Sequence, residues 1–211
     1  MTDALLTAEK LLQINAVQLN ADKPFTWASG WKSPIYCDNR KVLSHPYIRD
    51  YIKSELCNAV FEKFSGAELV AGVATAGIAW GALIADQLKL PFVYVRPKPK
   101  EHGMGNQIEG DYIKSQRVVV IEDLISTGKS SLQVVNVLKG VGLEVIGMVS
   151  IFNYRFDAGK KAFEDAGINV YSLTDYPSLL QVGAAKGIIK AGQEEVLLKW
   201  RADPANWTGV S

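Results

Sequence analysis

Short apolar runs alternate with helical patterns through the middle of the chain. Continuous apolar runs occupy residues 68–73, 91–95, 117–122, 143–152 and 168–173. Between most of these runs, apolar residues recur at helical spacing, as over 77–88, after Gly128 and over 158–166. Continuous apolar runs are typical of strands buried on both faces of a sheet, and intervening helices allow such strands to run parallel. The sequence therefore predicts an α/β fold with a central parallel sheet flanked by helices.

The N-terminal part of the chain follows a different pattern. Helical spacing of apolar residues predicts a first helix over about 3–19. Glycine, serine, proline and aromatic residues in FTWASGWKSPIYCDNR (25–40) predict short strands and turns. Ser44 and Pro46 then mark the start of a further helix, which leads into the alternating region.

The C-terminal part predicts two more helices, over about 175–185 and 190–202. We expect these helices and the first 40 residues to form a small hood. The core of the protein is then expected over about 44–175, within a single domain that comprises residues 1–211.

One long connection, over residues 96–116, has no periodic pattern. Structureless loops of this length are uncommon in compact domains and are usually lids or disordered insertions. Its first half concentrates the basic residues Arg96, Lys98, Lys100 and His102. A mobile basic lid over about 96–116 and a solvated charged loop are both compatible with this composition.

Composition and charge narrow the classes of partner. The 211 residues carry a formal net charge of +1, so no general attraction to nucleic acid or to an anionic membrane is expected. The uncharged stretch 69–85 is interrupted by glycines, which favours a buried strand, a turn and a helix over a membrane span. Cys37 and Cys57 are too few for a disulfide framework and suit a reducing cytoplasm, and the polar N-terminus predicts no signal peptide.

The segment VVVIEDLISTGKSS (118–131) carries the strongest chemical signal. Its end matches the phosphate loop G-x-x-x-x-G-K-[ST], but Asp123 stands where that loop has its first glycine, and Glu122 precedes it. Residues 126–128 lead into a predicted helix, so their backbone amides can bind an anion, and nearby hydroxyls, including that of Ser131, add donors. Two carboxylates would repel a phosphate, whereas they accept hydrogen bonds from a ribose diol. The segment therefore predicts a site for ribose 5-phosphate.

Other interpretations of this segment exist. Asp123 can be a structural carboxylate that binds turn amides, and TGKS can be an ordinary helix N-cap. A P-loop nucleotide hydrolase is disfavoured, because it needs glycine at position 123 and a metal-binding aspartate on another strand. A second glycine turn, GVATAG (72–77), also joins a predicted strand to a helix. Two such turns and a basic connection favour a ligand with phosphate at both ends.

Three segments resemble a known family. VVVIEDLISTGKSS resembles the signature of the type I phosphoribosyltransferases, which use 5-phosphoribosyl 1-pyrophosphate. VRPKPKEHGMGNQIEG (95–110) is similar to the lid of the orotate phosphoribosyltransferases within that family, and FTWASGWKSPIYCD (25–38) is similar to their N-terminal region. The resemblance extends over about 10–175. It implies the type I phosphoribosyltransferase fold and Mg2+-dependent transfer of ribose 5-phosphate to orotate, a step of pyrimidine (UMP) biosynthesis in the cytoplasm.

The resemblance also implies a role for each matching residue. Glu122 and Asp123 would hold the ribose hydroxyls, and Asp123 would act in catalysis together with Lys100. Ser126 and Tyr36 would contact orotate. The residues implied to bind 5-phosphoribosyl 1-pyrophosphate are Arg96, Lys100, His102, Glu122, Asp123, Leu124, Ile125, Ser126, Thr127, Gly128, Lys129 and Ser130. Mg2+ would be held mainly by oxygens of the donor, with no protein metal ligand, and the lid would reach the neighbouring subunit's site in a homodimer.

Several family positions differ in this chain. At positions 75 and 76 the family often has a Tyr-Lys pair, whereas this chain has Thr75 and Ala76. At three further positions the family often has a basic residue, whereas this chain has Ala28, Pro97 and Tyr154. Arg155 is adjacent to the last of these. Two other functions stay open at this point: a phosphoribosyltransferase that takes a purine base, and a nucleic-acid-binding regulator that uses the fold as a ligand sensor.

Overall fold

The structure is a computed structural model, and it describes residues 3–27, 29–98, 107–190 and 192–209. The chain divides into a smaller unit, residues 1–49 and 174–211, and a larger unit, residues 50–173. In chain order the elements are α1 (Asp3–Gln13), β1 (Val17–Leu19), β2 (Phe25–Thr26), β3 (Lys32–Ser33), β4 (Ile35–Cys37), a 3-10 helix (Asn39–Ser44), α2 (Pro46–Lys63), β5 (Leu69–Val73), α3 (Ala76–Leu88), β6 (Phe92–Val95), β7 (Ile108–Glu109), β8 (Arg117–Ile125), α4 (Lys129–Gly140), β9 (Glu144–Asn153), α5 (Asp157–Asp165), β10 (Val170–Asp175), α6 (Tyr176–Ala185) and α7 (Gln193–Ala202).

A six-stranded sheet forms the centre of the larger unit, in the spatial order β10-β9-β8-β5-β6-β7. Strands β6, β5, β8 and β9 run parallel, and the short β7 pairs antiparallel with β6 at one edge. From β5 the chain proceeds to β6 on one side, whereas from β8 it proceeds to β9 and β10 on the other. The strand order therefore reverses between β5 and β8, which is where open α/β sheets bind their ligands. The predicted α/β fold with a largely parallel sheet is confirmed.

Helices pack on both faces of this sheet. On one face, a buried cluster joins alternate residues of the strands to α4 and α5, and it includes Val118, Val120, Val134, Val135, Leu138 and Phe163. On the other face α3 lies very close: a Cβ at Gly77 would stand 2.5 Å from the Ile121 carbonyl oxygen, and one at Gly72 would stand 2.7 Å from the Gly77 carbonyl oxygen. Glycine at both positions thus allows the turn after β5 to press against β8.

The uncharged stretch 69–85 forms β5, a turn and most of α3, as its glycines predict. Within the ranges that the structure describes, no helix has both the length and the apolar composition that a membrane span requires.

In the smaller unit, residues from the two ends of the chain meet. Thr174 Oγ1 donates a hydrogen bond to the Ala4 carbonyl oxygen at 2.8 Å, and Trp200 Nε1 donates to the Lys32 carbonyl oxygen at 3.1 Å. The Trp27 ring lies edge-on to Trp200, with 5.7 Å between the ring centroids. Strand β1 pairs antiparallel with β4, and β2 pairs antiparallel with β3. The assignment of these residues to a hood on a single domain stays a prediction.

The first helix is shorter than the predicted range of about 3–19. It ends at Gln13, because Asn15 adopts a left-handed backbone (φ 53°) and its N–H returns to the Leu12 carbonyl oxygen at 3.0 Å. Residues 17–19 form β1 instead and pair with β4. Their apolar side chains continue the helical spacing by coincidence, so periodicity alone did not reveal the break.

The strand that carries the acidic pair is longer than predicted. Strand β8 ends at Ile125 instead of 122, because it pairs with β9 as far as Asn153. Its pairing with β5 ends earlier, at Ile121. The acidic pair therefore lies within the last part of a strand, at the point where β5 has already turned away.

Candidate active site

The carboxyl ends of β5 and β8 present two adjacent turns at the reversal point of the sheet. Leu124 and residues 126–131 line a cavity of about 300 Å³ beside the turn after β8. A second cavity of about 30 Å³ is lined by Ala74 from the turn after β5, by Arg96 from the end of β6 and by Ser130 from α4. The predicted phosphate turn and the second glycine turn are thus neighbours, as a ligand with two phosphate groups needs.

The turn after β8 ends at Gly128, which precedes α4 with a left-handed backbone (φ 76°). No side-chain hydrogen bond caps α4 at this residue, so the first amides of the helix are left to bind an anion. Helix α5 supports the turn closely. A Cβ at Gly159 would stand 2.7 Å from the Ser126 carbonyl oxygen, and one at Gly128 would stand 2.6 Å from Phe163 Cε2. These contacts fix where the turn lies.

Glu122 is buried, with 5% of its surface exposed, and its carboxylate is engaged within the protein. Oε1 accepts a hydrogen bond from the Asp123 backbone N–H at 3.0 Å, and Oε2 accepts one from the Ser131 hydroxyl at 3.0 Å. Burial raises the pKa of Glu122 well above its ordinary value, and the adjacent Asp123 carboxylate raises it further. Glu122 therefore joins β8 to the first turn of α4, and its contact with ribose stays a prediction. The Ser131 hydroxyl, expected to face an anion, serves this internal bond instead.

Glu122→Gln is expected to raise the melting temperature of the unliganded protein more at about pH 8 than at about pH 5. The glutamine Oε1 can accept from the Asp123 N–H and its Nε2 can donate to the Ser131 hydroxyl oxygen, so two hydrogen bonds stay while a buried charge is removed. Because the folded-state pKa of Glu122 is raised, the folded protein binds more protons than the unfolded chain once the pH exceeds the unfolded pKa, so wild-type stability falls as the pH rises towards the folded pKa. Thermal unfolding of both proteins at the two pH values measures the difference.

Glu144→Gln, at the exposed start of β9, is the matched control for this substitution. It removes the same charge at an exposed position, so its effect on the melting temperature is expected to be small. If Glu122→Gln behaves in the same way as this control, the charge of Glu122 carries no burial cost.

The other predicted donor-binding residues of this strand and turn lie together. Asp123 is half-buried on β8, next to Leu124 at the edge of the larger cavity. Ile125 is 1% exposed and packs in the core, so only its backbone can face a ligand. The remaining residues, Ser126, Thr127, Gly128, Lys129 and Ser130, all line the larger cavity.

The predicted pyrophosphate-binding cations are described only in part. The Arg96 guanidinium lies beside the edge strand, with Nη1 3.6 Å from Glu109 Oε1. Lys100 and His102 fall outside the described residues, so their roles stay predictions.

Tyr36, the predicted orotate contact, belongs to the smaller unit. It lies on β4 with 37% of its surface exposed. Its ring packs at a tilt against Phe25, with 5.6 Å between the centroids. The contact with orotate stays a prediction.

Tyr154, which stands where the family resemblance predicts an arginine, is a core residue. Its ring is edge-on to Phe152, with centroids 5.1 Å apart, and stacks on Phe156, with centroids 5.2 Å apart. Its backbone N–H donates to the Ile125 carbonyl oxygen at 3.0 Å, which supports the end of β8. The next residue, Arg155, is exposed and has a left-handed backbone (φ 57°).

Metal-binding side chains do not converge in the part of the chain that the structure describes, where no three His, Cys, Asp or Glu residues are grouped. Mg2+ usually keeps several waters and takes one or two carboxylates together with substrate phosphates. The half-buried Asp123, beside a turn rich in hydroxyls, fits a Mg2+ ion that arrives with a phosphorylated ligand. Glu122 does not fit this role, because both of its oxygens accept internal hydrogen bonds.

Gln133 and Gly159 contribute to the site although sequence reasoning missed them. Gln133 lines both cavities, and its Nε2 donates to the Pro97 carbonyl oxygen at 3.2 Å. Its spacing of three residues from Ser130 could have placed it on the same helical face. Gly159 had no such signal, because its role depends on how α5 packs under the turn.

Comparison with known proteins agrees with this architecture. The family model described as phosphoribosyl transferase domain matches residues 48–174, more than half of the chain. The chain is 52% identical over 202 residues to an orotate phosphoribosyltransferase of Phocaeicola vulgatus, a match that covers 96% of this chain and 95% of that protein. It is 52% identical over 199 residues to the protein of the same name from Bacillus cereus, covering 94% and 95% of the two chains.

A solved structure supports the same relationship. The crystal structure of orotate phosphoribosyltransferase from Aeropyrum pernix matches with a TM-score of 0.74 and 30% sequence identity, covering 86% of this chain and 98% of that one. The resemblance that the sequence motifs indicated is therefore confirmed. The chain belongs to the orotate phosphoribosyltransferase family.

Proposed function

We propose that the chain transfers ribose 5-phosphate from 5-phosphoribosyl 1-pyrophosphate to N1 of orotate, which gives orotidine 5'-monophosphate and pyrophosphate in pyrimidine biosynthesis. One observation carries this function: an acidic strand end leads directly into an uncapped phosphate turn where the strand order of the sheet reverses. Membership of the family supports the identity of the two substrates.

The described geometry supports a division of roles along the donor. Amides and hydroxyls of residues 126–130, which line the larger cavity, bind the 5'-phosphate. The Asp123 carboxylate accepts hydrogen bonds from the ribose diol. Arg96, at the smaller cavity next to the turn after β5, binds pyrophosphate. The family resemblance supports the roles of Lys100 and His102 in pyrophosphate binding. It likewise supports the roles of Ser126 and Tyr36 in orotate binding.

The reaction needs no covalent nucleophile from the chain. The bond between C1' and the pyrophosphate oxygen breaks, and its electron pair leaves with pyrophosphate. N1 of orotate then supplies the electron pair of the new bond and loses its proton, which water or the released pyrophosphate takes up. Positive charge develops on the ribose in between, so a carboxylate at the diol and fixed donors at the phosphates stabilise the transition state electrostatically. Mg2+, when bound with the donor, neutralises charge on the leaving pyrophosphate.

Cofactor, location and assembly complete the proposal. The protein uses Mg2+, acts in the cytoplasm and forms a homodimer in which the lid reaches the neighbouring site. Cys37 and Cys57 form no disulfide bond, which suits a reducing compartment. Burial raises the pKa of Cys57 to about 11, so this thiol is an unreactive part of the core.

The ultraviolet absorbance of orotate tests the function directly. Loss of orotate is expected only when protein, 5-phosphoribosyl 1-pyrophosphate and Mg2+ are all present, so each is omitted in turn. Parallel reactions contain adenine, hypoxanthine or guanine in place of orotate. Consumption of a purine alone would replace the proposed acceptor. Failure with every base, together with a mobility shift of nucleic acid at low salt, would favour a regulator instead.

A further inference from the structure

The segment predicted as a lid begins from a stem that the structure describes. Strand β7 pairs antiparallel with the end of β6, so that Tyr94 lies opposite Glu109. Arg96 continues this pairing: its N–H donates to the Gln107 carbonyl oxygen at 2.9 Å, and Gln107 Nε2 donates to the Arg96 carbonyl oxygen at 3.1 Å. The N–H and the carbonyl oxygen of Arg96 are therefore both hydrogen-bonded to Gln107, and these two bonds fix the position of the Arg96 backbone.

The Arg96 side chain is held from the same edge strand. Arg96 continues the register opposite Gln107, so Glu109 is its diagonal neighbour on the same face, within reach of a long side chain. Arg96 Nη1 lies 3.6 Å from Glu109 Oε1, and the two side chains are 37% and 23% exposed. A partly exposed pair at this distance contributes little to stability. Its main physical effect is to restrict where the guanidinium points.

The stem is also connected to the phosphate turn. Arg96, Gln107 and Gln133 line the small cavity together with Ser130, which belongs to the first turn of α4. Gln133, one turn further along this helix, donates to the Pro97 carbonyl oxygen at 3.2 Å. Arg96 is therefore held within a hydrogen-bonded frame that includes the helix of the phosphate turn.

We propose that Glu109 is a positioning residue for Arg96, and that Gln107 fixes the backbone from which Arg96 acts. This inference rests on the proposed function, in which Arg96 binds the pyrophosphate group of the donor. Charge attraction to Glu109 holds the guanidinium at the carboxyl edge of the sheet, and N–H donors of Arg96 bind pyrophosphate oxygens. Glu109 itself does not contact substrate, so its effect on the reaction passes through Arg96.

A double-mutant cycle with Glu109→Gln and Arg96→Gln tests this dependence. Glu109→Gln is expected to raise the KM for 5-phosphoribosyl 1-pyrophosphate, and the Kd for inorganic pyrophosphate with Mg2+ measured by calorimetry, about fivefold. The KM for orotate and the melting temperature are expected to stay at wild-type values. In the Arg96→Gln background, Glu109→Gln is expected to have no further effect on donor or pyrophosphate binding.

Glu68→Gln is the matched control, because Glu68 Oε1 pairs with Arg117 Nη2 at 3.1 Å at the start of β8. This pair lies at the opposite end of the parallel strands, so its loss is expected to leave donor and pyrophosphate binding unchanged. An equal effect of Glu68→Gln would mean that the loss of any surface carboxylate is sufficient, which would overturn the positioning role.

Gln107→Glu tests the backbone contribution by a change that keeps the shape of the side chain but removes its donor. It is expected to raise the KM for the donor and the Kd for pyrophosphate, again without a change in the KM for orotate. Gln116→Glu is the control, because the Gln116 side chain accepts from the Ile113 N–H at 2.7 Å and a carboxylate can replace it there. Wild-type binding by Gln107→Glu would remove Gln107 from the proposal.

The remaining outcomes separate the inference from the function on which it rests. Wild-type binding by Glu109→Gln, or a loss of equal size with and without Arg96, would overturn the positioning role alone. A wild-type protein that consumes no orotate would overturn the proposed function, and the pyrophosphate titrations of the four proteins would still decide whether Glu109 acts through Arg96. A wild-type protein that binds no pyrophosphate would overturn both.

Discussion

Asp123→Asn is expected to lower kcat/KM for 5-phosphoribosyl 1-pyrophosphate by roughly two orders of magnitude while the protein stays folded. The asparagine amide keeps one acceptor oxygen and loses the negative charge. Hydrogen bonds to a charged group each contribute about 1.5–3 kcal/mol, roughly twice the value for neutral partners. The ribose also becomes positively charged in the transition state, so part of the loss is expected in kcat. Orotate absorbance at varied donor concentration gives both constants.

Two comparisons make this result specific to the site. Asp86→Asn, on the exposed face of α3 where Asp86 pairs with Lys89 at 3.1 Å, is expected to retain wild-type kinetics. Glu122→Gln is expected to lose less activity than Asp123→Asn, because the Glu122 carboxylate is engaged by Ser131 and the Asp123 N–H. Near-normal kinetics of Asp123→Asn would instead make Asp123 a structural carboxylate of the turn.

The sheet and most helices of the larger unit could be predicted from the sequence, because strands that are buried on both faces have continuous apolar sequences. Strands β5, β8 and β9 each contain a continuous apolar run; every residue of β5 is buried, and so are most residues of β8 and β9. Glycine at 72 and 77 also carried information, since both allow backbones to approach closely. These features depend only on the local sequence and on packing against a layer of apolar side chains.

The different environments of the two acids could have been predicted only with the correct end of β8. Successive side chains of a strand leave the backbone in opposite directions, so adjacent acids within a strand have different neighbours, although the two carboxylates here lie close enough to interact. The predicted strand ended at residue 122, and the prediction gave Glu122 and Asp123 the same role at the ribose. In the structure the strand continues to Ile125, and Glu122 points to Ser131. A strand boundary displaced by a few residues was enough to hide this difference.

The stem around Arg96 left no signal in the sequence for another reason. Strand β7 has only two residues, which is too short for any alternation of side chains to be visible. The bonds of Gln107 and Gln133 to backbone carbonyl oxygens join residues that are distant in sequence. The predicted lid therefore covered residues that belong to the sheet edge, and their role could be found only from the packed structure.

Gly128→Ala is expected to raise the KM for the donor at least about tenfold and to lower the melting temperature by several degrees. A left-handed backbone costs alanine roughly 1 kcal/mol relative to glycine. In addition, the new Cβ would stand 2.6 Å from Phe163 Cε2 and 3.0 Å from Cζ. Phe163 is 5% exposed within the core, so the turn is expected to move more readily than the ring. Displaced amides then bind the 5'-phosphate less well, which kinetics and donor calorimetry measure.

Gly167→Ala separates the two causes of this loss. Gly167 also has a left-handed backbone (φ 64°), but a Cβ there would have no heavy atom within 4 Å. Its alanine variant is expected to lose some stability and no donor affinity, so an equal rise in KM would mean that backbone strain alone weakens binding.

Phe163→Leu in the Gly128→Ala background removes the ring atoms that the Cβ meets. This second change is expected to restore part of the donor affinity although it lowers stability further, because a turn that returns to its position can bind phosphate even in a less stable protein. Wild-type donor binding by Gly128→Ala itself would exclude the turn as the phosphate site.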